Sequence, residues 1–290
     1  MRVTDQQRNM SLQSRLKSND ARLSKSMEEV VSGSRVNRSS DDPTTHATAA
    51  RFKTQAVRYE NMVDQNSNLT SYFETAETAI NSASGAMGEA LNIAQQLSSG
   101  PQTPSQLSAA AKAVTGLKQT MLDAANTQHH GAAVFGGIDD QNPAFDPTGA
   151  FLGSSTARRV QIAPGETIEM LSGDSTFGGA NGAFAAITAL ETALTNGDQA
   201  AVGAAIDGMK AGEKSLSMAR QSVGDRMNAV DFATNFMENA ILSDKDRVGE
   251  LTDADIASSI GNVQGTMGTM QLALQVTARV GETLNSIFKL

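Results

Sequence analysis

The chain has 290 residues, no cysteine, no tryptophan, and a net charge of −8 from 23 basic and 31 acidic side chains. The missing thiols exclude disulfide frameworks, thiolate metal sites and cysteine nucleophiles. Aromatic residues make up only 4%, too little bulk to fill the centre of a wide globule; thin helical assemblies with small-residue seams need less.

The first residues, broken by Arg2, Asp5, Gln6, Gln7 and Arg8, lack the apolar core of a secretory leader, so none is expected. Leu12, Leu16, Leu23, Met27 and Val30 share a helical face, and Gly33 is placed to stop that helix. Asp42 followed by Pro43 has the pattern of an N-cap and first helical residue. The next seam, Leu69, Phe73, Ala76, Ile80, Ala83, Met87, Ala90, Ala94 and Leu97, steps by four and three without a slip. It predicts a helix from just after Pro43 to Ser98, roughly 80 Å long at ~1.5 Å per residue.

Gly100, Pro101 and Pro104 mark a turn, after which Ser105 is a candidate N-cap. A second seam follows through Leu107, Ala110, Val114, Leu117, Met121, Ala124 and Gln128. Residues 131–182 are rich in Gly and Pro. Within them Val160 and Ile162, then Ile168 and Met170, alternate with polar neighbours around Pro164-Gly165, which suits a type II turn and predicts a hairpin. Helix resumes at 183–195 with Ile187, Leu190 and Leu194.

A third seam runs through Val202, Ile206, Met209, Glu213, Leu216, Arg220, Val223, Met227, Val230, Thr234, Met237, Ile241, Asp244, Val248 and Leu251. Its glycines, 203, 208, 212 and 224, lower helix propensity by about 1 kcal/mol each and suggest close approach of a neighbouring helix. At Thr252-Asp253-Ala254-Asp255 the phase slips, as at the capping box of a new helix. The last seam is Ile256, Ile260, Val263, Met267, Met270, Leu274, Thr277, Gly281, Leu284 and Phe288.

The predicted fold is mainly α: a long antiparallel helical rod or coiled coil formed by the N- and C-terminal segments, with a small β-containing insert at its tip. Three domains are expected: a terminal helical coiled-coil domain (1–42 plus 252–290), a helical rod domain (43–130 plus 196–251) and a β-rich insert (131–195).

No catalytic motif is present. His129-His130 near Asp139-Asp140 could face a cation, but adjacent residues do not share a helix face, and a polar cluster closing a helix is the simpler reading. Phe135-Gly136-Gly137 is too short for a phosphate loop, and HExxH is absent. No window approaches the ~20 apolar residues of a membrane span. Residues 1–60 carry a net charge of +4 and the remainder −12. The basic groups are dispersed among acids, which argues against nucleic acid and for complementary charge between neighbouring copies. No cofactor, metal, nucleic acid or membrane is expected.

The terminal helices each carry an amphipathic stripe that two helices alone cover poorly. Leu12, Leu16, Leu23, Met27, Ile260, Val263, Met267, Met270, Leu274, Leu284 and Phe288 are therefore the candidate assembly interface, with chain ends frayed in an isolated copy.

The stretch Gly33-Ser34-Arg35-Val36-Asn37-Arg38-Ser39-Ser40-Asp41-Asp42-Pro43 resembles the N-terminal signature of bacterial flagellins and their relatives, with Asn37, Arg38, Asp41, Asp42 and Pro43 as its motif residues. Thr252-Asp253-Ala254-Asp255-Ile256-Ala257 resembles the start of their last helix. Pro43 after the two Asp, the segment Ala133 to Gly137, the stretch Arg159 to Glu166 and the ending Leu284 to Leu290 are more similar to the third hook-associated (junction) family than to flagellins; a short flagellin is the alternative. The resemblance implies a non-enzymatic structural subunit of the bacterial flagellum. It implies unfolded export through the flagellar type III apparatus with a chaperone on the C-terminal helix, and a ring of subunits at the hook–filament junction. There the ring would join the first hook-associated protein to flagellin.

Overall fold

The computed structural model describes residues 2–100, 102–138, 143–178 and 182–287. About 75% of the chain is helical, in line with the mainly α expectation. The elements are α1 (Arg2–Ser32), α2 (Pro43–Ser98), α3 (Pro104–Ala125), β1 (Gln128–His129), β2 (Ala132–Ala133), β3 (Arg159–Ala163), β4 (Glu166–Glu169), α4 (Gly173–Phe177), α5 (Ala183–Thr195), α6 (Gln199–Thr252) and α7 (Ile256–Ile287). Contacts divide the chain into two compact units, Met1–Arg58 with Ala240–Leu290, and Tyr59–Asn239.

The unit formed by Tyr59–Asn239 is built on the heptad seams. All nine α2 seam residues from Leu69 to Leu97 are buried, and Val202, Met209, Leu216, Val223, Val230 and Met237 of α6, each seven residues apart, are 0% exposed. Burying one residue per heptad this completely is what a narrow helix–helix contact requires. The polar members Glu213 and Arg220 of the predicted α6 seam turn outward. Of the four seam glycines, Gly212 is the one at a tight approach: a Cβ there would lie 2.9 Å from Met87 Cε and 3.2 Å from Ala183 Cα. Gly203 and Gly224 face open space.

The start of α3 lies at Thr103 rather than Ser105. Pro104 takes the first helical position, and the Thr103 hydroxyl accepts from the Gln106 N–H while Gln106 Oε1 accepts from the Thr103 N–H at 2.8 Å, a complete capping box. α3 ends at Ala125, before Gln128, because Gln128 pairs with Ala133 in the two-residue β1–β2 ladder. Lys118 of α3 meets Glu191 of α5 at 3.0 Å, and the Thr115 hydroxyl donates to the same carboxylate at 2.7 Å.

β3 and β4 form the predicted hairpin, with Val160 opposite Ile168 and Gly165 at φ +84° in the turn. Its register shifts between Gln161 and Ala163. There the Ile162 side chain is wholly buried, and the Ile162 carbonyl accepts from Asn66 Nδ2 at 3.0 Å. The same Asn66 amide also donates to Thr234 Oγ1 at 3.1 Å, so one residue ties α2, α6 and β3 together. The insert also holds an aromatic cluster that the sequence reading did not assign. Phe145 lies 5.2, 5.6 and 5.1 Å from Phe151, Phe177 and Phe184, and Phe135 lies 5.0 Å from Phe177.

Candidate assembly surface

The unit formed by Met1–Arg58 and Ala240–Leu290 begins from two connecting loops that hold each other. Gly33 adopts φ +68°, a left-handed conformation that suits glycine at a helix C-terminus, and its N–H closes α1 on the Glu29 carbonyl at 2.9 Å. Ser34 then forms an antiparallel bridge with Asp253. The Arg35 N–H donates to the Thr252 carbonyl at 2.7 Å, and the Ala254 N–H donates to the Gly33 carbonyl at 2.9 Å. The Ser34 hydroxyl and the Arg35 guanidinium reach the Thr252 and Leu251 carbonyls at 2.9 and 3.2 Å. These bonds satisfy the backbone at the end of α6, where helix-terminal carbonyls lack partners.

The signature residues shape this loop. Asn37 Nδ2 donates to Ser32 Oγ at 2.9 Å and to the Ser34 carbonyl at 3.1 Å. Asp41 Oδ2 accepts from the N–H groups of Asn37 and Arg38 at 3.3 and 3.0 Å, while Arg38 pairs with Glu28 at 3.2 Å. Asp42 caps α2, accepting from the Thr45 N–H at 3.1 Å and from the hydroxyls of Thr45 and Thr44 at 2.6 and 2.8 Å, with Pro43 at the first helical position. The Thr45 hydroxyl first, then its N–H and the Thr44 hydroxyl, hold the Asp42 carboxyl far below the usual carboxylate range. The Arg38 N–H, then that of Asn37 and nearby Lys25, lower Asp41 in the same way. Asp255 caps α7, accepting from the Ser258 N–H at 3.1 Å. Thr252 closes α6, so it does not cap α7.

From these loops α1 and α7 run antiparallel and in contact. Ser259, 4% exposed, donates to Glu29 across the pair at 3.1 Å. The covered face of α7 is Ser259, Val263, Thr266, Met270 and Ala273, and that of α1 includes Leu16, Asn19, Leu23, Ser26 and Val30. This face only partly follows the apolar stripe read from the sequence. Leu16, Leu23, Val263 and Met270 are half-buried, but Met27, Ile260, Met267 and Leu274 are 42–53% exposed. Ile256, Leu272 and Val276 are exposed as well, and no charged residue occurs from Ile256 to Ala278. The side chains of Leu12 and Leu284, and Phe288 as a whole, lie outside the described residues. Ser259 and Thr266 were missed because small polar residues carry no hydropathy signal; their seven-residue spacing was the available clue.

The candidate cation ligands come together only in part. The rings of His129 and His130 lie 4.2 Å apart, and Thr75 Oγ1 is 3.4 Å from His129 Nδ1. Burial, and then His130, holds His129 below the usual imidazole range. Asp139 and Asp140 lie outside the described residues. Among the described residues no cluster of three His, Asp or Glu could hold a metal ion.

Residues 3–140 match the family model of the bacterial flagellin N-terminal helical region. No curated protein is significantly similar to the chain. Among solved structures, the chain resembles one from Vibrio parahaemolyticus assigned as a flagellar hook-associated protein, at 19% identity and TM-score 0.67, covering 73% of this chain and 100% of that one. It also resembles the flagellar junction protein FlgL of Legionella pneumophila, at 11% identity and TM-score 0.57, over 71% and 100% of the two chains. FlgL of Bacillus cereus follows at 15% identity and TM-score 0.53, over 63% and 98%. Residues 3–140 are thus similar to the bacterial flagellin N-terminal helical region, and the fold is shared with solved flagellar hook-associated proteins.

Proposed function

We propose that this chain is a structural subunit of the bacterial flagellum, the adaptor that joins hook to filament. It works without catalysis. Sister copies form a ring, the first hook-associated protein lies on the hook side and flagellin on the filament side. Export proceeds through the flagellar type III apparatus, with a chaperone shielding α7 beforehand. The working division is a terminal domain of 1–42 with 252–290, a helical domain of 43–130 with 196–251, and an insert of 131–195.

The observation that carries this reading is the uncharged run of α7. A helix with apolar residues exposed on more than one face is stable only when neighbours cover it. α1 covers one face; Ile256, Ile260, Met267 and Leu274 remain for a sister copy or an axial neighbour. Leu12, Leu16, Leu23, Met27, Val263, Met270, Leu284 and Phe288 complete the proposed interface, part of it internal to the α1–α7 pair. Asn37, Arg38, Asp41, Asp42 and Pro43 act indirectly, by setting the loop from which both helices leave.

The test replaces Ile260 and Met267 by Asp in a strain whose own copy is deleted. Since both side chains are exposed, the monomer keeps its helical content, while filaments no longer attach to hooks. Filaments attached as in wild type would refute the assembly role of α7.

A further inference from the structure

Two of the ten phenylalanines stand on the outside of α6: Phe232 is 74% exposed and Phe236 is 56% exposed. They are four residues apart, on one helical face. Half-buried Ala229 lies beside them, and Asp225 stands seven residues before Phe232 on the same side. Asp231 and Glu238, both exposed, line one edge. None of these three acids has an ion-pair partner among the described residues. Exposed phenylalanine pairs rimmed by polar groups mark contact surfaces, since aromatic residues are enriched at the centres of interfaces.

The complementary surface is present on the same chain. From Pro43 to Tyr59, α2 has no acidic residue and three exposed cations, Arg51, Lys53 and Arg58, likewise without ion-pair partners among the described residues. Among them Val57 is 53% exposed, one turn from Lys53 on one side and from half-buried Glu60, the first acid of α2, on the other. An apolar centre with an acidic rim thus has a match in an apolar centre with a basic rim, and charge complementarity sets orientation and excludes like-charged pairings.

We propose that Phe232 and Phe236 on α6 of one copy dock against α2 around Val57 of a second copy. The two surfaces differ, so the contact is heterologous: each copy offers its α6 surface to one neighbour and its α2 surface to another, and the contact repeats until a ring closes. This rests on the reading of the chain as an assembling flagellar subunit and names the lateral partner within it.

The absence of cysteine makes a clean test. The full chain is expressed with V57C, with F236C, or with both, and flagella are isolated and oxidised. The double variant gives a ladder of disulfide-linked multiples of the 30.3 kDa chain, and each single variant runs as monomer. Protein present in the flagella with the double variant wholly monomeric would overturn this contact and leave the subunit reading standing. Equal dimer from F236C alone would also overturn it, since that outcome requires a self-facing contact. Protein absent from isolated flagella, with the wild type absent too, would sink both readings. As a second arm, F232S/F236S, which alters only exposed side chains, lowers the amount of chain recovered in flagella at least several-fold; unchanged recovery counts against the contact.

Discussion

The N–H of Arg35 donates to the carbonyl of Thr252 at 2.7 Å, joining residues 217 positions apart at the point where two helices end and two begin. The adjoining Ala254–Gly33 bond makes this a two-way clasp. Because α1 and α7 both leave from it, the clasp sets where the exposed stripe of α7 is presented.

Gly33 is the most sensitive position in the clasp. Its φ of +68° strains any residue with a Cβ, although open space surrounds it. Gly33→Val should therefore destabilise the α1–α7 pair by roughly 1–2 kcal/mol. Amide exchange in α1 and α7 should accelerate while exchange across residues 69–97 stays unchanged. Equal rates in variant and wild type would contradict the role given to Gly33.

Asp41 and Asp42 give the loop a pH dependence of known sign. Both carboxyls titrate below their ordinary value in the folded chain, so their contribution is complete above about pH 4 and is lost as pH falls through the folded values. In the D41N/D42N double variant this acid-dependent component should be missing. Thermal melts from pH 6 down to 2 check this: the gap between wild type and variant narrows as pH falls.

Asp244 occupies a seam position on α6 at 4% exposure, and its Oδ2 has no hydrogen-bond partner among the described residues. A buried, unpaired carboxylate oxygen costs about 1–3 kcal/mol. Asp244→Leu should raise the midpoint of thermal unfolding by several degrees. An unchanged or lower midpoint would show that the carboxylate is satisfied in solution.

Asn66 combines both effects: its Oδ1, like Asp244 Oδ2, has no hydrogen-bond partner among the described residues. Its Nδ2 supports both Ile162 and Thr234 from a fully buried position, so Asn66→Leu leaves the Ile162 carbonyl unpaired. A loss of about 1–3 kcal/mol follows, together with faster amide exchange in β3 and β4. A hairpin protected as in wild type would remove Asn66 from its anchoring role.

Much of this was legible because a heptad spacing imposes itself on any neighbouring helix. The α2 seam and every seventh α6 position from Val202 to Met237 are buried as the spacing predicts, whereas the alternate α6 seam members Ile206, Met227 and Thr234 are half-buried and Glu213 and Arg220 exposed; Pro43 and Ser98 bound α2 as expected. Short-range chemistry was harder. Thr103 and Gln106 form a capping box that Ser105 obscured, although Pro104 at the first helical position already required the cap to precede it. The aromatic cluster of the insert joins Phe135, Phe145, Phe151, Phe177 and Phe184 across loops, where no periodicity survives to announce contact. On α7, Ser259 and Thr266 take the face covered by α1, while Ile260, Met267 and Leu274 of the apolar stripe stay exposed. A helix that buries different faces against different neighbours does not reveal from one sequence which neighbour comes first.

The central claim, that this chain joins hook to filament, is tested most directly by immunogold labelling of intact flagella with antibody against the insert, residues 131–195. The account predicts a single gold band at the base of the filament. Gold spread along the filament would make the chain a short flagellin, and flagella without gold would contradict its place in the organelle.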